Sequence, residues 1–263
     1  MREVLPAIAF SLDEIKDEEL AEANRFFSRG KFVESLAGFR AIIQKLLLVV
    51  AKDESEATDV SLLLSCYGTW LIVQIKEMVS LCKEYIIGLT METERRRLVA
   101  ESPDGNTTRN LELAAYFTHC KLASSHVQLA LRSAMGVFSK AGNHATAAVF
   151  ARRLIDTNPS DTKVITQVSL RLNHHVWTPS NEQARSVLSQ GDRNPRDAHE
   201  VAYDHFTPFD ICPASLTPIY QGSPSVVVAY SGARYLPEYK NTICVIDEIT
   251  QVGLPGSGLR SAI

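Results

Sequence analysis

Five Xaa-Pro steps fall between residues 207 and 237: Thr207-Pro208, Cys212-Pro213, Thr217-Pro218, Ser223-Pro224 and Leu236-Pro237. Each proline lacks an amide donor and pushes the residue before it away from helical geometry. Spaced five to thirteen residues apart, they exclude any long helix here. The runs 216–220, 225–230 and 241–246 carry Val, Ile, Thr and Tyr, which suit a pleated surface. Gln221-Gly222-Ser223 and Ser231-Gly232 offer turns. Residues 201–253 are therefore expected to form a small β-rich subdomain, as two antiparallel hairpins or one small sheet. A loosely held tail over 254–263 follows, with Gly256 and Gly258.

Upstream, the texture is helical. Ser11-Leu12-Asp13-Glu14 fits a capping box, with Ser11 capping the first turn. Leu12, Ile15, Leu20, Ala23 and Phe27 recur at helical spacing, and Arg29-Gly30 is a stop. Phe32, Leu36, Phe39, Ile43, Leu46, Leu47 and Val50 line one face of a second helix. After a polar break at 53–58, the most apolar stretch runs over 60–75. At 16 residues it is short of the about 20 that a membrane span needs, so it reads as a buried helix continuing to about Leu89. Ser102-Pro103-Asp104-Gly105 is a loop signal. Further helices are expected with caps at Thr107 or Thr108 and at Ser124 or Ser125. Others begin after Gly142-Asn143, over 162–172, and over 182–188. Residues 1–10 read as a linker and 174–181 as a second one. The fold class is mainly α: an α-solenoid-like stack of helical hairpins over 11–200, followed by the β-hairpin-rich subdomain.

Two segments of the helical part rhyme. Residues 30–39 (GKFVESLAGF) and 142–151 (GNHATAAVFA) each place a ring two residues after a turn glycine and a small residue, Ser35 or Ala147, three further on. The pattern resembles the second helix of a tetratricopeptide repeat. A strict array would show it every 34 residues, and these copies lie 112 apart, so a general stack of helical hairpins remains the other reading.

Composition removes several functions. The chain has 27 Lys and Arg against 30 acids and a formal charge of -3, so no basic excess draws nucleic acid. The first ten residues have no continuous apolar run of a secretory signal. Cys66, Cys82, Cys120, Cys212 and Cys244 are odd in number and widely spaced, the pattern of reduced cytosolic thiols. Cys82 or Cys120 with His119, His126 or His144 could form a nucleophilic pair, but all sit in expected amphipathic helices. GLPGSG at 253–258 has no Lys and no following helix. Arg95-Arg96-Arg97, which follows Glu92 and Glu94 at a helix end, and Arg152-Arg153 read as solvated charge, with contact to an acidic partner or anionic lipid as the alternative. No catalytic, cofactor-binding or metal-ligating set is expected, and an enzyme is the least favoured class.

A series of strings resembles the carboxy-terminal domain of the alpha subunit of coatomer, the COPI vesicle coat. They are Glu84-Tyr85-Ile86-Ile87-Gly88-Leu89 with Met91-Glu92-Thr93-Glu94-Arg95, Ala114-Ala115-Tyr116-Phe117-Thr118-His119, and AAVFARRL at 147–154. Asn194-Pro195-Arg196-Asp197-Ala198, Tyr203-Asp204, Pro208-Phe209-Asp210-Ile211-Cys212 and Pro218-Ile219-Tyr220 follow. Last come Ser231-Gly232-Ala233 with Tyr235, Pro237-Glu238-Tyr239-Lys240 and Ile243-Cys244. The match is collinear over about residues 23–252.

The resemblance implies a structural coat domain in Golgi-to-ER and intra-Golgi transport, cytoplasmic and peripheral to Golgi and vesicle membranes. It implies binding to the epsilon coatomer subunit, a helical-repeat protein that resembles a bracelet around a projecting β-hairpin, and to other coatomer subunits. A free-standing helical-repeat adaptor for another protein is the alternative. The chain departs from the family between Phe39 and Tyr85, where it is longer. It also departs in a C-P-x-S-G-A-C-Y pattern, whose cysteine positions hold Val228 and Arg234. Only Cys212 and Cys244 remain of four cysteines that could surround a metal. Val226, Val228, Tyr230, Tyr235 and Tyr239 are the expected partner-binding residues, being apolar and aromatic beyond what a solvated hairpin tolerates. The other reading packs them inward against the chain's own helices.

Overall fold

The computed structural model describes residues 10–49, 60–102, 107–157, 181–194 and 196–256. It is mostly helical, with short antiparallel strand pairs near its carboxy-terminal end. The described residues divide into two compact units. The first takes those up to Glu94, Cys120–Leu122, and those from Asp204 onward; the second takes Arg95–His119 and Ala123–Tyr203.

In the first unit, α1 (Leu12–Glu14), a π-helical turn (Ile15–Glu19) and α2 (Leu20–Ser28) run end to end. The expected capping box is absent: Ser11 makes no side-chain cap, although its carbonyl accepts the Ile15 amide. Ser11 itself is buried at the start of α1. The stop at Gly30 is present and has a defined cause. Gly30 sits at φ 72°, Lys31 donates to the Phe26 carbonyl and Gly30 to that of Phe27, which together form a Schellman turn.

Helix α3 (Phe32–Lys45) then folds back along α2. The approach is close, because Gly38 faces Ala23 and the Ser35 hydroxyl donates to the Ala23 carbonyl at 2.9 Å. The expected face through Leu47 is corrected. A 3-10 turn (Leu46–Leu48) ends the α-helix, buries Leu46 and turns Leu47 and Leu48 outward. Val50 and the polar break at 53–58 lie outside the described residues.

Helix α4 (Val60–Glu101) continues past the expected end near Leu89, through the charged run 92–97. Ile75, Met78, Val79 and Cys82 form its buried stripe at helical spacing, continued by Tyr85, Ile86 and Leu89. The reading of 60–75 as buried is corrected at Trp70 and Val73, which stand about half exposed off that stripe. Tyr85 stacks on Phe39 with centroids 4.3 Å apart and meets Phe27 edge-on at 5.6 Å, joining α2, α3 and α4.

In the second unit, α5 (Thr107–Phe117), α6 (Ser124–Lys140), α7 (His144–Thr157) and α8 (Asn181–Arg193) share a core that includes Leu111, Leu131, Phe138, Phe150 and Leu154. No serine caps α6; its N-cap is Ala123. Gly142 at φ 83° repeats the Schellman turn of Gly30, with Asn143 donating to Phe138 and Gly142 to Ser139. The two rhyming segments thus form the same turn and start helices of 14 residues each, with Ser35 and Ala147 fully buried.

Helix α8 is longer than the expected 182–188. It lies close to α7, because a Cβ on Gly191 would stand 2.6 Å from that of Ala148 and 2.9 Å from the His144 carbonyl. The expected helix at 162–172 and linker at 174–181 fall outside the described residues, apart from Asn181 at the start of α8.

Candidate partner-binding site

The β-rich segment begins with β1 (Phe209–Ile211) and β2 (Pro218–Tyr220), antiparallel with Asp210 opposite Ile219. Strands β3 (Val226–Val227) and β4 (Arg234–Tyr235) form the second pair, with Val226 opposite Tyr235. The run expected as a strand at 241–246 contributes only a single bridge, Ile243 to Gln251. Phe209–Ile211 and Arg234–Tyr235, which no expected run covered, supply the partner strands.

Two loops of this segment dock on α3. The Tyr230 hydroxyl donates to the Ile43 carbonyl at 2.6 Å. Arg40 donates to the Val245 carbonyl at 3.5 Å and pairs with Glu248 at 3.2 Å, while Gln44 donates to the Asp247 carbonyl at 3.4 Å. A hidden core lies behind these contacts. Val228, Tyr235, Cys244, Ile246 and Val252 are fully buried. Burial and the nearby Asp247 carboxylate push the Tyr230 phenol well up, and burial does the same to Tyr235.

The five residues expected to meet a partner therefore separate. Val228 and Tyr235 are fully buried and present no surface, and the partners of the Tyr235 hydroxyl, Cys244 and Val245, lie in the same segment. Tyr230 is half-buried and spends its hydroxyl on α3. Val226 and Tyr239 are also half-buried. The exposed apolar side chains of the segment are others: Val227 at 49%, Ile243 at 68%, Ile249 at 58% and Leu254 at 53%, with Phe206 at 81%. The alternation of β3 could have shown this, since Val227 must face opposite to Val226 and Val228.

The candidate nucleophiles are placed poorly for chemistry. Cys82 is buried in α4, and desolvation lifts its thiol to about 12; burial lifts Cys120 well above the ordinary range. His119 and Cys120 are not in a helix as expected. Helix α5 stops at Phe117, and Arg153 from α7 holds the Thr118 carbonyl at 2.9 Å and its hydroxyl at 3.0 Å. Arg153 is thus tied to the protein where solvated surface was expected. Among the described residues no group of three His, Cys, Asp or Glu converges as a metal site, and no helix is long and apolar enough to cross a membrane.

Comparison with known proteins fits this arrangement. A family model for the C-terminus of the coatomer (COPI) alpha subunit matches residues 1–263. The chain belongs to this family of coatomer alpha C-terminal domains. It is 35% identical over 254 residues to coatomer subunit alpha-1 of Arabidopsis thaliana, 32% over 256 to coatomer subunit alpha of Dictyostelium discoideum, and 33% over 258 to that of Saccharomyces cerevisiae. These alignments take in 97–98% of this chain and 18% of each relative, so the chain corresponds to under a fifth of the coatomer subunits it matches.

Proposed function

We propose that this chain is a structural module of the COPI vesicle coat, not an enzyme, and that it joins the coat by binding the epsilon subunit of coatomer. The observation that carries the reading is the family match along the whole chain. A helical body and a strand-rich segment with exposed Val227, Ile243, Ile249 and Leu254 support it physically. A partner that covers such groups gains from their removal from water. In this reading the partner's surface takes Val227 and Ile243, with the half-buried Val226 and Tyr239 at the rim. Other coatomer subunits are further partners. The module then works on the cytoplasmic face of Golgi and vesicle membranes, in Golgi-to-ER and intra-Golgi transport, held to the membrane through the coat. Co-elution of the purified chain with the epsilon subunit in a one-to-one complex is the expected result. Separate elution at micromolar concentrations would sink the reading.

A further inference from the structure

Cys212, Val228 and Cys244 stand sixteen residues apart, and all three are fully buried. Each opens the same loop. Their amides donate to the carbonyls of Thr217, Ala233 and Thr250 at 3.0, 3.0 and 2.8 Å. Their carbonyls accept the amides of Leu216, Gly232 and Glu248 at 2.8, 2.9 and 2.9 Å. Those three residues, four positions on, are left-handed at φ 56°, 65° and 58°. Leucine and glutamate rarely adopt that conformation, so in the first and third copies the loop is imposed by its surroundings, while Gly232 takes it freely in the second.

The residue three positions on carries a side-chain oxygen in every copy. Ser215 bonds Thr217 Oγ1 at 2.6 Å, Ser231 accepts the Ala233 amide at 3.4 Å, and Asp247 accepts the Ile249 amide at 3.0 Å. Residues 209–256 thus hold one hairpin three times, the last with an extra residue in its loop.

A tight loop with inward side chains at its first and fourth positions and a left-handed residue fifth is the shape of a metal-binding knuckle. Two such loops facing each other supply four ligands. Around a tetrahedral ion with metal–sulfur bonds of about 2.3 Å, neighbouring ligand atoms are roughly 3.8 Å apart. Ser231 Oγ of the second copy lies 3.9 Å from Cys244 Sγ of the third. The loops therefore face each other as a ligand-bearing pair would.

The donor set, however, does not fit an ion. Val228 has no donor atom. The Asp247 carboxylate is taken by its own loop, accepting from the Ile249 amide and from the amide and hydroxyl of Thr250. The Tyr235 hydroxyl donates to Cys244 Sγ at 3.3 Å and accepts the Val245 amide at 3.0 Å. We propose that the second and third hairpins are a metal-free knuckle pair, closed by the Tyr235 hydroxyl in place of an ion. Burial supports the arrangement, because Ser231, Cys244 and Asp247 are all enclosed and their polar atoms find partners inside the pair.

The test uses the full chain. Thermal unfolding with and without a zinc chelator should give the same midpoint, while Tyr235→Phe lowers it by about 2–4 °C. Val228→Cys with Ser231→Cys places three thiols around the shared centre. That variant should take up one cobalt(II) per chain with thiolate charge-transfer absorption, and the unaltered chain none. Tightly held zinc in the unaltered chain, a midpoint lowered by chelator, or an unmoved midpoint in Tyr235→Phe would each overturn the proposal. So would a folded double variant that binds no cobalt. The Tyr235→Phe measurement decides the matter even where the double variant fails to fold.

Discussion

The Tyr230 hydroxyl donates a 2.6 Å hydrogen bond to the main-chain carbonyl of Ile43, 187 residues away in sequence. It ties a loop of the β-rich segment to α3. Tyr230→Phe should therefore lower the stability of the free chain by roughly 1 kcal/mol, read by urea unfolding. Tyr230→Ala with Tyr235→Ala removes two packed rings and should lower the melting temperature much further. An unchanged melting temperature in the double variant would contradict the buried placement of Tyr235.

Val227→Glu with Ile243→Glu puts charge on side chains that already meet solvent. Stability should change by no more than about 0.5 kcal/mol. Binding of the epsilon subunit should weaken on the order of 2 kcal/mol or more, measured by titration calorimetry. Unchanged affinity would move the interface away from these strands.

Asp197 caps α7 from outside the helix. Its carboxylate accepts the Ala145 amide at 2.9 Å and the Thr146 amide at 3.2 Å, and also meets the Thr146 hydroxyl. Asp197→Ala should cost about 1–2 kcal/mol by chemical denaturation. Asp197→Asn should retain part of this, because an amide oxygen still accepts.

Gly191 leaves no room for a Cβ against α7. The obstacle includes the His144 backbone, which cannot swing aside as a flexible side chain would. Gly191→Ala should destabilise by about 1–3 kcal/mol despite alanine's better helix propensity. A stabilised variant in thermal unfolding would show that α7 and α8 are not in such close contact.

His126 is buried near the start of α6, and desolvation lowers its pKa from the ordinary 6.5 to about 4. The folded state thus resists a proton that the unfolded chain accepts. Stability should be constant for this group above about pH 6.5 and fall as pH drops towards 4, by up to roughly 3 kcal/mol. His126→Gln should flatten that part of the stability–pH curve.

Much of the helical body was legible because its determinants are local. Gly30 and Gly142 marked their turns, and the spacing of Phe32, Phe39 and Ile43 marked α3. What escaped depends on distant partners. Asp197 carries no sequence mark of a cap, since the helix it caps begins 53 residues earlier. Arg153 looked like solvated charge, and only the end of α5 shows what it binds. In the β-rich segment, propensity found valines and tyrosines but not their direction. Val227 faces out and Val228 in because the strand alternates, and because one side is closed by α3 and the hairpins' own core. Leu216 and Glu248 hid the repeated loop, because a left-handed turn is normally announced by glycine.

Helix α3 is sealed by loops that lie far from it along the chain: Arg40 reaches Val245 across 205 residues and Gln44 reaches Asp247 across 203. A ribosome adding about 5–20 residues per second makes α3 at least ten seconds before its cover. Through that interval the helix has only its local neighbours, and one of its sides meets water or a chaperone. Completion of the first unit is therefore a late event in biosynthesis, set by closure of a very long loop. A nascent chain stalled before Tyr230 would carry a finished second unit and an unsealed first one, which is the kind of species that quality control recognises.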